Sequence, residues 1–252
     1  QTFNCLNPND KKKMYLAGKM EIKFNNSCKK IKLFDHRGNS KIFDLKENIV
    51  LNSKNIRNFR NKFKNLQTHF AISKGSNDEF ILKEDLNIFE NTLLNKEKKI
   101  IIKNNNINIK NNAIFLIEGK LEIENSKNSP TQIYSSDGTG SLIFIGNKFE
   151  FKDLVFKNLS SPKLNDLILY GGVNFINSEV LLENIIFSNS NDEDAINIIN
   201  SKSFLSNVKF ENIFADALDI DFGKSNFNNI ECYNIKNDCL DISGAQINGN
   251  YL

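Results

Sequence analysis

The chain lacks tryptophan, and His and Arg are confined to its first 70 residues: His36, His69, Arg37, Arg57 and Arg60 are the whole set. Any chemistry in the later part must therefore run without imidazole or guanidinium. Proline occurs 3 times, too rarely for a proline-rich linker. No apolar run approaches the ~20 residues of a membrane-spanning helix, and no signal peptide is visible. The four cysteines, Cys5, Cys28, Cys232 and Cys239, form no C-x-x-C pair, which argues against a zinc site. The spacing leaves Cys5–Cys28 and Cys232–Cys239 bonds open without requiring either.

Charge is distributed unevenly. Residues 1–77 carry 17 Lys/Arg against 5 Asp/Glu, and residues 178–252 carry 4 against 12. A basic first third suits anionic partners, or is simply a solvated lysine surface. It shows none of the motifs or aromatic interleaving of a nucleic-acid binder. With 40% hydrophobic residues, 21 of them Phe, the chain has ample material for a core.

Internal repetition is the dominant signal. Segments 178–200, 201–222 and 223–244 align without gaps at 23, 22 and 22 residues. Leu182, Leu205 and Phe227 share one column, Ile185, Val208 and Ile230 a second, Phe187, Phe210 and Cys232 a third. Asn184, Asn207 and Asn229 align, as do Asn189, Asn212 and Asn234. Residues 148–159 fit at a shift of 31, with 160–170 as an insertion loop. Each unit holds two short runs of apolar/polar alternation, the period of β-strands. Coils of this length place equivalent residues at the ~4.8 Å spacing of hydrogen-bonded strands. Asn at a bend tolerates left-handed backbone and can ladder its amide with its neighbours. The expected fold is all-β, a right-handed parallel β-helix over 78–252 that begins near 79–90. Residues 1–77 are expected to form a basic cap or partial domain, with a hairpin around Arg37-Gly38-Asn39 and a helix over 55–70. Residues 245–252 begin another coil, so a longer protein with a neighbouring domain is expected.

The run 80–244 resembles the right-handed β-helix proteins of the pectate-lyase-like superfamily. Its segments EDAINI, ADALDIDF and NDCLDISGAQI are similar to the β-helix regions that accompany spore-coat-H-type kinase-like domains in bacterial surface and polysaccharide-locus proteins. That resemblance implies an extracellular, cell-surface or periplasmic protein that binds polysaccharide or glycan, or serves as a scaffold. No kinase signature is present. The lyases of the superfamily rely on Arg or Lys beside a carboxylate, often with Ca²⁺, and Arg is missing from these coils. The N-T-D, D-D, G-H-G and R-I-K pattern of polygalacturonases is missing too.

The candidate chemistry lies on the D-[AC]-[IL]-[ND]-I strands. With Leu218, Ile220 and Phe222 inward, Ala217, Asp219 and Asp221 face outward. Asn197, Asp219 and Asp241 should then stack, beside Ser243. Clustered carboxylates repel unless a cation or donor intervenes. Ca²⁺ bridging Asp219, Asp221 and Asp241, an acid–base pair for glycoside hydrolysis, binding of sugar hydroxyls, and an inert exposed acidic face all fit. Asp194, Asp216 and Asp238 each precede a strand, where they are expected to accept backbone N–H groups. Asp137-Gly138-Thr139-Gly140 reads as a turn and Cys232 as a packed apolar residue.

Overall fold

The computed structural model describes residues 30–34, 40–44, 60–66, 72–74, 79–125, 129–163 and 169–250. The chain divides into two compact units, Gln1–Asn58 and Phe59–Leu252. Within the first, strands β1 (Lys30–Phe34) and β2 (Ser40–Asp44) pair antiparallel. The expected turn at 37–39 lies outside the described residues, as do Cys5, Cys28, His36, Arg57 and His69.

The second unit is a parallel β-solenoid. It opens with β3 (Lys64–Asn65) and β4 (Ile72–Lys74). Seven coils follow. The first three carry three strands each: β5 (Glu79–Leu82), β6 (Leu86–Ile88) and β7 (Thr92–Leu94); β8 (Lys99–Lys103), β9 (Ile107–Ile109) and β10 (Ile114–Ile117); β11 (Lys120–Glu124), β12 (Thr131–Tyr134) and β13 (Ser141–Ile145). The next four carry a long bent strand and a short one: β14 (Lys148–Lys157) and β15 (Gly171–Ile176); β16 (Glu179–Ser188) and β17 (Asp194–Ile199); β18 (Lys202–Ile213) and β19 (Asp216–Asp221); β20 (Lys224–Ile235) and β21 (Leu240–Ser243). Strand β22 (Gln246–Asn250) pairs onto β20. Two eight-stranded sheets run along the unit, one ending in β21 and the other in β22.

Register follows the sequence columns. Leu182 pairs with Leu205 and Leu205 with Phe227, and the 31-residue shift places Phe151, Leu154 and Phe156 against Leu182, Ile185 and Phe187. Inside, like stacks on like: the rings of Phe156 and Phe187 lie 4.9 Å apart and those of Phe187 and Phe210 5.1 Å apart, nearly parallel. Of the helix expected over 55–70, the described residues show α-helix at Arg60 and none beyond it. Residues 61–63 turn and lead into β3, with Phe63 and Leu66 buried. β3 pairs with β7, and β4 pairs antiparallel with β5, so pairing with the first coil outweighs the helical spacing. Both strands cover edges that an uncapped solenoid would leave open.

Three corners shape each later coil, and each turns on left-handed backbone. Asp153, Asn184, Asn207 and Asn229 form one corner, with φ from 52 to 60°. Asn158, Asn189, Asn212 and Asn234 form the second. The third runs Gly146, Asn177, Asn200, Phe222 and Gly244. Asn dominates because its short amide makes this backbone tolerable and supplies a partner. Asn207 Nδ2 donates to Asn184 Oδ1 at 3.2 Å and Asn229 Nδ2 to Asn207 Oδ1 at 3.2 Å. Asn234 Nδ2 donates to Asn212 Oδ1 at 2.8 Å and Asn200 Nδ2 to Asn177 Oδ1 at 2.6 Å. Phe222 breaks the pattern, and a Cβ on Gly244 would come within 2.8 Å of its ring.

Candidate functional site

The short-strand sheet brings the predicted acidic residues together. Asn174 pairs with Asn197, Asn197 with Asp219, and Asp219 with Asp241, one per coil, and Ile199, Asp221 and Ser243 form the column two residues along. The side chains point away from the core, but outward is not the same as exposed. Asn174 and Asn197 retain 0% and 1% of their accessible surface. Ala217 is buried, Asp219 and Asp221 are half-buried, and only Asp241 and Ser243 are exposed. Within this column the acidic face is therefore open at the last coil. Strands such as β10 (IFLI) and β17 (DAINII) are buried at every position. Such near-continuous apolar runs are what a sheet shielded on both faces requires.

Asn197 is the centre of the cluster. Its Nδ2 donates to Asp219 Oδ2 and lies 3.4 Å from Asp221 Oδ2 and 3.5 Å from Asp194 Oδ2. Two N–H groups thus face three carboxyl groups. Asn197 Oδ1 and Asp219 Oδ1 are buried without a hydrogen-bond partner. By contrast, Asn174 is fully engaged: its Nδ2 donates to the carbonyls of Gly171 (2.6 Å) and Leu142 (3.3 Å), and its Oδ1 accepts from Gly171 N–H at 3.2 Å.

Burial sets the electrostatics. It pushes the Asp219 carboxyl up to about 8, assisted by the charges of Asp221, Asp241 and Asp216 and only partly opposed by the Asn197 amide. Burial also pushes Asp194 up to about 8, with Asp219, Asp216 and Glu193 adding to it. Burial therefore favours the protonated form of both carboxyls well above the usual carboxylate range. Asp216 meets the expectation of a backbone acceptor, but across coils: its Oδ1 accepts from Asp238 N–H at 2.8 Å and from Asn237 Nδ2 at 2.6 Å. Among the described residues no group of three His, Cys, Asp or Glu side chains is arranged to hold a metal ion. The Asn197 amide donor sits between Asp219 and Asp221.

Elsewhere, Asp137 behaves as turn chemistry predicts. Burial opposes its ionisation, but the N–H groups of Asn111 and Thr139 and the hydroxyls of Thr139 and Ser135 outweigh it and hold the carboxyl near 2. Lys209 pairs with Glu211 at 2.6 Å and stacks over Tyr233 at 4.7 Å. Cys232 and Cys239 are joined in a disulfide that links β20 to the approach to β21. Among the described residues no helix is long and apolar enough to cross a membrane.

These features define a parallel β-solenoid with asparagine-laddered corners and one shielded acidic–amide column. No protein-family model, curated protein or solved structure matches the chain.

Proposed function

We propose that the solenoid is a carbohydrate-binding region of an extracytoplasmic surface protein, and a rigid support for whatever it is joined to. The observation behind this reading is register. Across β14, β16, β18 and β20, outer residues stand in columns such as Lys152, Glu183, Ser206 and Asn228, one per coil. A surface that repeats at a fixed spacing suits a ligand that repeats as well. The Cys232–Cys239 disulfide fits an oxidising compartment. The resemblance to pectate-lyase-like and spore-coat-H-associated β-helices points the same way. A panel of immobilised glycans probed with the whole chain tests it: saturable binding without product release is expected, and silence across the panel ends the proposal.

A second reading, glycoside hydrolysis, draws on one observation. Asp219 stands in register with Asp241 and two residues from Asp221, and burial raises its carboxyl to about 8; a carboxyl that retains its proton more readily beside other carboxylates is the raw material of a general acid and its partner. Oligosaccharide release that disappears in Asp219→Asn or Asp241→Asn is the expected sign. Activity unchanged in both variants removes this mechanism.

A further inference from the structure

The long strands β14, β16, β18 and β20 bend at Asp153, Asn184, Asn207 and Asn229, and the bend encloses a groove of about 430 Å³ along the coil-stacking direction. Half-buried Val155 and Ile186, in register on adjacent coils, line one wall. The corner residues carry a polarised chain: Asn229 donates to Asn207, Asn207 to Asn184, and Asn184 Nδ2 to Asp153 Oδ1 at 3.0 Å. A primary amide has two N–H groups and two lone pairs, and the ladder takes one of each from Asn184 and Asn207. The remainder recurs at the coil spacing of ~4.8 Å.

Charge narrows the ligand. The lining residues hold one cation, Lys209, which is held by Glu211 and Tyr233, against Asp153 and Glu231. Among the described lining residues there is no further cation to neutralise a uronate or sulfate, and residues 178–252 are strongly acidic. An apolar wall suits the C–H face of a pyranose, and spare amide N–H groups and lone pairs suit its hydroxyls.

We infer that this groove binds a neutral, extended β-1,4-linked glycan lying along the stacking direction, with one sugar meeting one coil. This rests on the carbohydrate-binding reading above and places the site on the asparagine corner rather than on the acidic column. The probe is cellohexaose, titrated into the whole chain by calorimetry. Asn207→Gly deletes the amide while keeping left-handed backbone accessible, and Ile186→Asp spoils the wall from an outward position. Each should weaken binding at least tenfold, whereas Asn212→Gly, in the neighbouring ladder, should leave it within twofold. Cellohexaose binding that survives both groove variants overturns the inference. So does a failure to bind cellohexaose combined with capture of other glycans that is lost in Asp241→Asn, an outcome that spares the carbohydrate-binding reading. Loss of all glycan capture by the unaltered chain removes both.

Discussion

Asn197 donates from Nδ2 to Asp219 Oδ2 on the next coil, while Asn197 Oδ1 and Asp219 Oδ1 are both buried without partners. A buried acceptor left unmade costs about 1–3 kcal/mol, and the carboxyl also faces Asp221, Asp241 and Asp216. Fold stability and the acidic column are therefore in conflict at this point, and protonation relieves it.

That conflict gives a pH dependence of definite sign. The Asp219 and Asp194 carboxyls lie at about 8 in the folded chain and near ~3.9 when unfolded. Between those values the folded state holds more protons than the unfolded one, so their contribution falls as pH rises from about 4 to about 8 and is flat above. Thermal melts of Asp219→Asn should run higher than the parent at pH 8 and converge with it near pH 4. A parallel offset at every pH would refute the assignment.

The ladder corners give a sharper test of backbone against side chain. Asn207 has φ 52°, where a β-branched residue is badly placed. Asn207→Val should cost about 1–2 kcal/mol from left-handed strain, plus the two ladder bonds. Asn207→Gly loses the bonds alone and should cost less. Urea midpoints in which Val and Gly are equally disruptive would show that the amide, not the backbone, dominates.

The coil period, the inward columns, the shift of 31 and two of the three asparagine corners were legible because each repeats by apolar character or by residue identity. The third corner was not, because Gly146, Asn177, Asn200, Phe222 and Gly244 share a conformation but no single residue type along the column. The acidic column was legible as a column and misjudged as a surface. Alternation reports which way a side chain points, whereas shielding of the outer face is reported by near-continuous apolar strands such as IFLI and SLIFI. The segment at 60–66 carries helical spacing, but pairing of Lys64–Asn65 with β7 overrides it.

The disulfide should matter at the last complete coil. Cys232 and Cys239 are seven residues apart, and closing so short a loop stabilises by about 2 kcal/mol. The double variant Cys232→Ser, Cys239→Ser should lower the melting temperature, and amide exchange should accelerate first in β20, β21 and β22. Uniform acceleration throughout the coils would mean that the bond does not act locally.

The Phe156–Phe187–Phe210 stack offers the largest effect. Phe187 is 2% exposed and contacts a parallel ring on each side, so its removal opens a void between two coil interfaces at once. In a solenoid each coil is held by its neighbours, which leaves few routes for the structure to collapse around that void. Phe187→Ala should therefore cost about 3–5 kcal/mol. Phe204, on the outer face of β18 and 47% exposed, provides the matched comparison, and Phe204→Ala should stay within about 0.5 kcal/mol. Denaturant unfolding of both variants distinguishes an interior column from an outer one, and similar losses would contradict the inward stack on which the coil register depends.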